Sequence, residues 1–337
     1  MFMQKIVPIT NEEWESCNKF NRDIMEEFLD NSTELSPQSL KAYRSNLMIW
    51  FNWVRENLEN KRQIDIKSRE YLRYQNWLVK LEHSSSDIHN KRSAISTLNN
   101  YIMLYYEDLY PTFHNFINKG IKQPEKAFVH PKIPPTKSEM AMMIEKLEEK
   151  EDWQKIAYLK FTFETGCRRA ESRQLLKNII NSQPVIKTKK VKNEDGVDEV
   201  KDIKYYKTPE IRCKGKGKTG KPRRLKFSDY AMDALKKWIE VRGEDDCEFM
   251  FVVKTPTEVH RVGESTFNQW ATNTFAKILG RRFHPHILRE SRATSIVVEE
   301  GKSIEAAQKL LGHNSSETTK IYVINDDDDE DDELFAD

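Results

Sequence analysis

Four side chains near the end of the chain carry the strongest chemical signal: two histidines, an arginine and a tyrosine. His286 and Arg289 are three residues apart, so on a helix both would lie on one face. His313 follows Gly312, a residue type that favours a helix end, and Tyr322 comes nine residues later. A cluster of cations beside a tyrosine is what a phosphodiester needs if a phenol is to attack its phosphorus.

A second charged motif, ETGCRRAESRQLL, lies near the middle of the chain. This motif and the later HILR, LLGH and TTKIY together resemble the signature of the tyrosine recombinases, also called phage integrases. The family pattern T-G-x-R-x-x-E-x-x-x-L is matched position by position by Thr165, Gly166, Arg168, Glu171 and Leu175. In the family, H-x-L-R is commonly followed by another histidine, and this chain has a glutamate, residue 290, there instead.

The resemblance implies six catalytic residues and one supporting residue: Arg168, Lys218, His286, Arg289, His313 and Tyr322, with Glu171 in support. Tyr322 would be the nucleophile and would form a 3′-phosphotyrosyl link. Arg168 and Arg289 would grip the non-bridging oxygens, which a planar guanidinium fits well. Lys218 would protonate the leaving 5′-oxygen.

The remaining roles are less specific. By the same resemblance, His286 would assist the tyrosine as a base or hold the phosphate, and His313 would donate a hydrogen bond to the phosphate. Glu171 would orient a cation of the site or buttress the fold. Neither a metal nor another cofactor is required, because a covalent protein–DNA bond would conserve the energy of the phosphodiester.

Between residues 201 and 226 there are eleven Lys or Arg residues and two acidic residues, and short alternating runs indicate a small antiparallel sheet with basic turns. Phosphate is the expected counter-charge. Within this run and in an earlier helix, the predicted DNA-binding residues are Lys91, Arg92, Lys214, Lys216, Lys221 and Arg223.

The loop GKGKTGKP nearly matches a nucleotide-binding phosphate loop. Pro222 stands where that loop needs a hydroxyl, and the following residues indicate a strand where the nucleotide site needs a helix, so we expect no nucleotide site. The loop resembles the recombinase hairpin instead, whose lysine often occurs as K-T-G. Lys218 fits this form, and Lys216 is the alternative because the family also uses G-K-G.

The chain has 337 residues, enough for two domains, and no run of apolar residues that approaches a membrane span. Nine of its acidic residues lie at 326–333 and at 337, and without them the formal net charge rises from +1 to +10. The body is therefore basic, as nucleic-acid binders often are. The acidic tail is either a solvated end or a segment with a specific docking role. Scattered cysteines and a start without a secretory pattern favour the cytoplasm.

The fold expected is mainly α with a small antiparallel β-sheet. Residues 10–125 are predicted to form a helical core DNA-binding domain, because apolar residues recur there at three- and four-residue steps. Residues 126–135 would be a linker, 136–325 a mixed α+β catalytic domain like that of the tyrosine recombinases, and 326–337 the acidic tail. The order of a helical domain followed by a mixed domain resembles the order of the core-binding and catalytic domains in that family.

The function expected is site-specific DNA recombination or integration, for a phage or other mobile element. The partner would be double-stranded DNA, with a homo-tetramer on paired sites and a monomer or weak oligomer without DNA. A DNA-binding transcriptional regulator that keeps the fold without recombining is the main alternative, since fold does not settle function. A topoisomerase with the same chemistry is a third.

Overall fold

The computed structural model describes residues 4–125, 133–192, 198–213, 220–312 and 316–320. The chain divides into two compact units. The first holds the helices up to Tyr105, and the second holds the helices and strands that begin at Lys137. The domain bounds predicted from the sequence remain predictions.

All the regular secondary structure that is described in the first unit is helical. A 3₁₀ turn, Gln63–Asp65, separates its third and fourth helices. The five α-helices are α1 Asn11–Ser16, α2 Lys19–Asn31, α3 Pro37–Asn57, α4 Ser68–Lys80 and α5 Ser85–Tyr105.

Helix α3 shows how this sequence produces a helical core. At its start, the Ser36 hydroxyl accepts a hydrogen bond from the Ser39 amide at 3.2 Å, and Pro37 occupies the first helical position. Its apolar residues then recur on one face. That face is buried, and it packs against the apolar faces of the other helices in this unit, including residues of α5. Its buried residues include Leu47, Trp50, Phe51 and Val54.

The second unit mixes helices with short antiparallel strands. Its helices are α6 Lys137–Glu148, α7 Trp153–Thr165, α8 Arg169–Ser172, α9 Asp229–Arg242, α10 Glu264–Trp270, α11 Ala276–Leu279, α12 Ile287–Thr294, α13 Ile304–Leu311 and α14 Ser316–Lys320. Its strands are β1 Val185–Lys192, β2 Asp198–Lys207, β3 Ile211–Cys213, β4 Lys221–Arg223, β5 Lys226–Phe227, β6 Val252–Lys254 and β7 Val259–Arg261.

The prediction of a mainly α fold with small antiparallel β-structure is confirmed, but the strands form more than one sheet. Strands β1, β2 and β5 make a three-stranded sheet, whereas β3–β4 and β6–β7 are separate two-stranded pairs. The β6–β7 pair was not predicted, because three-residue strands carry too little alternation to be recognised. Two π-helical turns, Ala271–Phe275 and Ser295–Glu299, follow α10 and α12.

Helix α7 lies in the middle of the second core and is buried along most of its length. Its residue Tyr158 stacks on Phe267, with ring centroids 4.4 Å apart, and also contacts Phe251. None of its residues is exposed, so other elements surround it. The chain that leaves its C-terminal end therefore starts from a fixed position. Within the described ranges, no helix is both long enough and apolar enough to span a membrane.

One ion pair joins the start of α6 to the segment that follows α11. Glu139 completes a capping box with Thr136 and also accepts hydrogen bonds from both terminal nitrogens of Arg281, with Nη2 at 2.8 Å from Oε2. These bonds from Arg281 hold the pKa of Glu139 below its usual value.

We expect Glu139→Gln to lower the free energy of unfolding at neutral pH by about 1 kcal/mol, because the amide keeps the cap but loses the charged partner. A carboxylate whose folded pKa is depressed stabilises the fold above its unfolded pKa, and this contribution disappears as the pH falls through the folded pKa. Denaturant unfolding at neutral and acidic pH measures the gap in the free energy of unfolding between the variant and wild type. Glu145→Gln, exposed on the same helix, is the control, and a gap that does not shrink in acid would contradict the prediction.

Candidate active site

The first arginine of the predicted site is held by the carboxylate that the sequence placed beside it. Arg168 stands directly before α8. The Glu171 carboxylate accepts from the Arg168 backbone amide and from Arg168 Nη1, each at 3.0 Å. Glu171 is 1% exposed, whereas 27% of the Arg168 side chain remains accessible. A buried carboxylate thus fixes a guanidinium that still reaches the surface.

The neighbouring arginine points elsewhere, as expected for adjacent helical residues. Arg169 donates to Asn268 and Glu264 of α10, in both cases at 2.7 Å. Arg169 therefore ties α8 to α10, whereas Arg168 is held by Glu171.

The second predicted arginine, Arg289, is fully buried in α12. Its Nη1 donates to the Gly166 carbonyl at 2.6 Å, and its Nη2 donates to the Leu311 carbonyl at 2.7 Å. Gly166 lies two residues before Arg168, and Leu311 is the last residue of α13. Arg289 thus connects the two motifs that the sequence analysis singled out separately.

A third arginine reaches the same helix end. Arg223 of β4 donates from Nη1 to the Leu311 carbonyl at 2.6 Å and from Nη2 to the Leu310 carbonyl. The last carbonyls of a helix have no intrahelical partner and carry partial negative charge, so cations are favoured there. We call Arg223 and Arg289 the α13 clamp.

Close packing completes the contact between the two motifs. Gly166 ends α7 with a φ of +58°, and Gly312 ends α13 with a φ of +68°, as the sequence predicted for Gly312. A Cβ atom on Gly166 would lie 2.4 Å from Leu311 Cδ2, so the buried Leu311 side chain would have to move to make room for it. Gly166 is therefore required both for its left-handed backbone and for the space that Leu311 fills.

The β3–β4 hairpin is anchored to α8 at its base. The Gln174 side chain accepts from the Arg212 amide at 2.9 Å and donates to the Arg212 carbonyl at 2.8 Å. Strand register places Cys213 opposite Lys221. Lys221 is exposed. The basic loop thus starts from a base that is fixed beside Arg168.

Two buried thiols flank the Glu171 carboxylate. Burial raises the pKa of Cys167 to about 12, and the charge of Glu171 adds to this shift. Burial raises the pKa of Cys213 to about 11, and Glu171 again adds to it through its charge and a hydrogen bond. Both thiols are protonated at neutral pH and serve as small packing groups around the carboxylate.

Of the remaining catalytic candidates, the structure describes His286, which is partly buried immediately before α12. Its carbonyl accepts from the Arg289 amide at 3.0 Å, so the two predicted residues lie on one helical turn. Lys218, His313 and Tyr322 lie outside the described residues, as do Lys214 and Lys216. In the described part of the chain, no group of three or more His, Cys, Asp or Glu side chains is placed to hold a metal ion.

The two DNA contacts predicted on α5 have partners inside the first unit. Lys91 is 5% exposed and donates to both carboxylate oxygens of Asp87 at 2.8 Å. Arg92 donates to the carbonyls of Ile121 and Asn118 at 2.7 and 3.1 Å. This placement argues against Lys91 as a phosphate contact, because its ammonium is already buried and paired. The prediction took no account of Asp87, which lies four residues earlier and therefore on the same face of the helix.

The arrangement also assigns contacts that the sequence did not indicate. Arg223 was predicted to bind DNA, and the structure instead directs its terminal nitrogens to the end of α13. Gln174 was not singled out at all. Nothing in a run of basic residues distinguishes a side chain that caps a helix from one that meets a phosphate.

Comparison with known proteins places this architecture in a family. The sequence model of the phage integrase family matches residues 136–329. The chain is 31% identical over 320 residues to the SPbeta prophage-derived recombinase-like protein YomM of Bacillus subtilis, covering 94% of this chain and 90% of that protein. It is 36% identical over 120 residues to the tyrosine recombinase XerC of Shewanella oneidensis, covering 35% of this chain and 37% of that protein.

Solved structures show the same fold at low sequence identity. The Tn1549 transposon integrase in complex with transposon right end DNA has a TM-score of 0.64 at 12% identity, over 90% of this chain and 95% of the other. The XerH site-specific recombinase bound to its difH substrate has a TM-score of 0.61 at 16% identity, over 96% and 95%. The chain therefore belongs to the phage integrase family, the class of tyrosine-type site-specific DNA recombinases.

The contact between Gly166 and Leu311 generates a prediction. We expect Gly166→Ala to lower the free energy of unfolding by about 1–3 kcal/mol more than Gly280→Ala does, because the methyl group would collide with Leu311. Gly280 is a matched control, since it ends α11 with a φ of +69° and has nothing within 4 Å of its Cβ position. Equal losses for the two variants in denaturant unfolding would show that only backbone strain matters at Gly166.

Proposed function

We propose that this protein cuts and rejoins double-stranded DNA through a 3′-phosphotyrosyl intermediate on Tyr322, in the recombination of a phage or another mobile element. The observation that carries the proposal is the junction at Gly166 and Leu311. There Arg289 binds the chain just before Arg168 and also the helix end that leads to His313 and Tyr322. Family membership supports the same chemistry.

In the proposed reaction, the phenolic oxygen of Tyr322 attacks the phosphorus and the 5′-oxygen leaves with a proton. The reverse step, in which a 5′-hydroxyl attacks the phosphotyrosine, restores the DNA. Extra negative charge develops on the non-bridging oxygens at the transition state, so donors that are already oriented lower the barrier most. Arg168 is oriented by Glu171 and still reaches the surface, so it is the better placed of the two donors. Arg289 is buried and bound to two carbonyls, so in this arrangement it supports the reaction through its positive charge and through the elements that it holds together.

Proton transfers fall to the other residues. The ordinary pKa of tyrosine is about 10, so Tyr322 needs help to ionise, and we assign this to His286 or to the electrostatic effect of the arginines. Lys218 protonates the leaving 5′-oxygen, with Lys216 as the alternative, and His313 donates a hydrogen bond to the phosphate. The hairpin base beside α8 supports the lysine assignment, because it starts the loop near Arg168.

The proposed partner is double-stranded DNA, bound by both units, with a homo-tetramer on paired sites. The Tn1549 and XerH structures contain DNA, which supports this partner. The resemblance of the full chain to a prophage-derived protein supports the mobile-element context. Exposed Lys187, Lys189, Lys221 and Lys226 in the strands would add to phosphate affinity.

A DNA-binding regulator without cleavage activity is the second candidate, since the relative that matches 94% of this chain is itself described only as a recombinase-like protein. A covalent protein–DNA adduct distinguishes the two. A suitable probe is a pool of nicked duplexes with a randomised centre, from which covalently trapped DNA is recovered and sequenced. The recovered sequence then serves as the suicide substrate. A mobility shift without any adduct would favour the regulator.

We expect Tyr322→Phe to bind this substrate as wild type does but to form no covalent adduct, because phenylalanine lacks the nucleophilic oxygen. Denaturing gels measure the adduct and a filter assay measures binding. Tyr205→Phe, which changes a strand tyrosine of the second unit, is the control and should form adducts normally. Adducts formed by Tyr322→Phe at the wild-type rate would remove Tyr322 from the mechanism.

For the leaving group, we expect Lys218→Ala to slow cleavage by on the order of 10²-fold and a 5′-sulfur substrate to restore most of the rate. A thiolate leaves without protonation, since thiols are far more acidic than alcohols. Single-turnover cleavage of the oxygen and sulfur substrates gives the comparison. If Lys216→Ala were the variant slowed and rescued, the role would belong to Lys216.

A further inference from the structure

Arg223 occupies an unusual position between the basic hairpin and the helix that leads to the proposed nucleophile. It ends strand β4, directly after the basic loop, and its guanidinium bridges the carbonyls of Leu310 and Leu311. We propose that Arg223 is a positioning residue for strand cleavage: it holds the end of α13 so that the following segment brings His313 and Tyr322 to the phosphate. This inference rests on the function proposed above.

The geometry requires a guanidinium. Two consecutive carbonyls at the end of a helix point in roughly the same direction, and a planar fork with two terminal nitrogens can satisfy both at once. An ammonium group has no such fixed fork. Leu311 is fully buried, so its carbonyl depends on protein donors to satisfy it, and Arg223 and Arg289 are both bound to it.

The turn after α13 is shaped around the same side chain. A Cβ atom on Gly312 would lie 3.0 Å from Arg223 Nη1 and 3.3 Å from its central carbon, so the guanidinium packs directly against the turn. The next residue along the chain is His313. A shift of this turn is therefore passed directly to His313, and through a short connection to Tyr322.

Arg223 is itself held firmly. In the hairpin register it lies opposite Ile211, which is buried in the core, and the neighbouring Arg212 is bound by Gln174 next to α8. The β3–β4 hairpin thus connects the end of α13 to the chain around α8, which also positions Arg168. Arg223 thus links the phosphate-binding half of the site to the half that supplies the nucleophile.

A direct phosphate contact is the competing role for Arg223, and the two roles predict different measurements. Loss of a phosphate contact lowers DNA affinity and reduces the salt dependence of binding by about one counter-ion. Loss of a positioning residue leaves binding and its salt dependence unchanged and slows the cleavage step. A misplacement of about 1 Å can slow a reaction by on the order of 10²-fold.

The experiment measures binding and single-turnover cleavage of the suicide substrate for full-length wild type, Arg223→Ala, Arg223→Lys and two controls. Arg224→Ala removes the adjacent cation, whose side chain is 60% exposed and 3.7 Å from Glu210. Ser303→Ala removes the hydroxyl that accepts the Ala306 amide at the other end of α13, which weakens the same helix without touching its C-terminal end.

We expect Arg223→Ala to cleave on the order of 10- to 100-fold more slowly with unchanged affinity and salt dependence. Arg223→Lys should recover only part of the rate, and both controls should cleave as wild type does. Normal cleavage by Arg223→Ala, full recovery by Arg223→Lys, a reduced salt dependence, or an equal slowing by Ser303→Ala would each overturn the inference. If wild type formed no adduct, the proposed function would fail and the inference with it. Adducts from wild type and Arg223→Ala at equal rates would overturn the inference alone.

Discussion

The site is organised around one backbone oxygen, the carbonyl of Leu311. It accepts hydrogen bonds from two guanidiniums, Arg223 and Arg289, at 2.6 and 2.7 Å. Burying a guanidinium is costly unless its donors are satisfied, and burying a helix end is costly unless its carbonyls are. Each group here satisfies the other, and the helix macrodipole adds to the attraction. The end of α13 is therefore stable only where both arginines can reach it, which defines where the chain beyond Gly312 starts.

This constraint explains why motifs far apart in the sequence meet in the fold. Arg289 spans from Leu311 to the Gly166 carbonyl, and the absence of a side chain at Gly166 lets Leu311 pack against the end of α7. Helix α7 is buried in the core, so its end cannot move without disturbing that core. The Glu171 carboxylate then holds Arg168, which follows the end of α7 by three residues, in a fixed position. The positions of Arg168 and Arg289 are therefore set by buried helices and not by loops.

The sequence predicted a helical first domain and singled out Gly166, Arg168, Arg289 and Gly312 among the residues that meet here, for physical reasons that differ. Ser36 and Thr136 were recognisable as caps because few residue types can accept a bond from a helix start. Gly312 was recognisable because few residues other than glycine adopt a left-handed backbone readily. The inward placement of Lys91 and the use of Arg223 to cap a helix were not recognisable. Arg223 depends on carbonyls that lie more than eighty residues further along the chain, whereas Lys91 pairs with Asp87 on its own helix. In both cases a charged residue has the same appearance in sequence whether it faces solvent or a buried partner. Lys218, His313 and Tyr322 keep the roles that the family resemblance implies, as proposals.

The thiols beside Glu171 have a practical meaning for handling the protein. Alkylating and oxidising reagents attack the thiolate, and burial keeps Cys167 and Cys213 in the thiol form at neutral pH. Burial likewise raises the pKa of Cys17. Cys247 is the only one of the four cysteines that is not buried. A maleimide dye would therefore label this position first and would leave the chemical centre untouched, so that DNA pairing and strand exchange could be followed by fluorescence without removing any native cysteine.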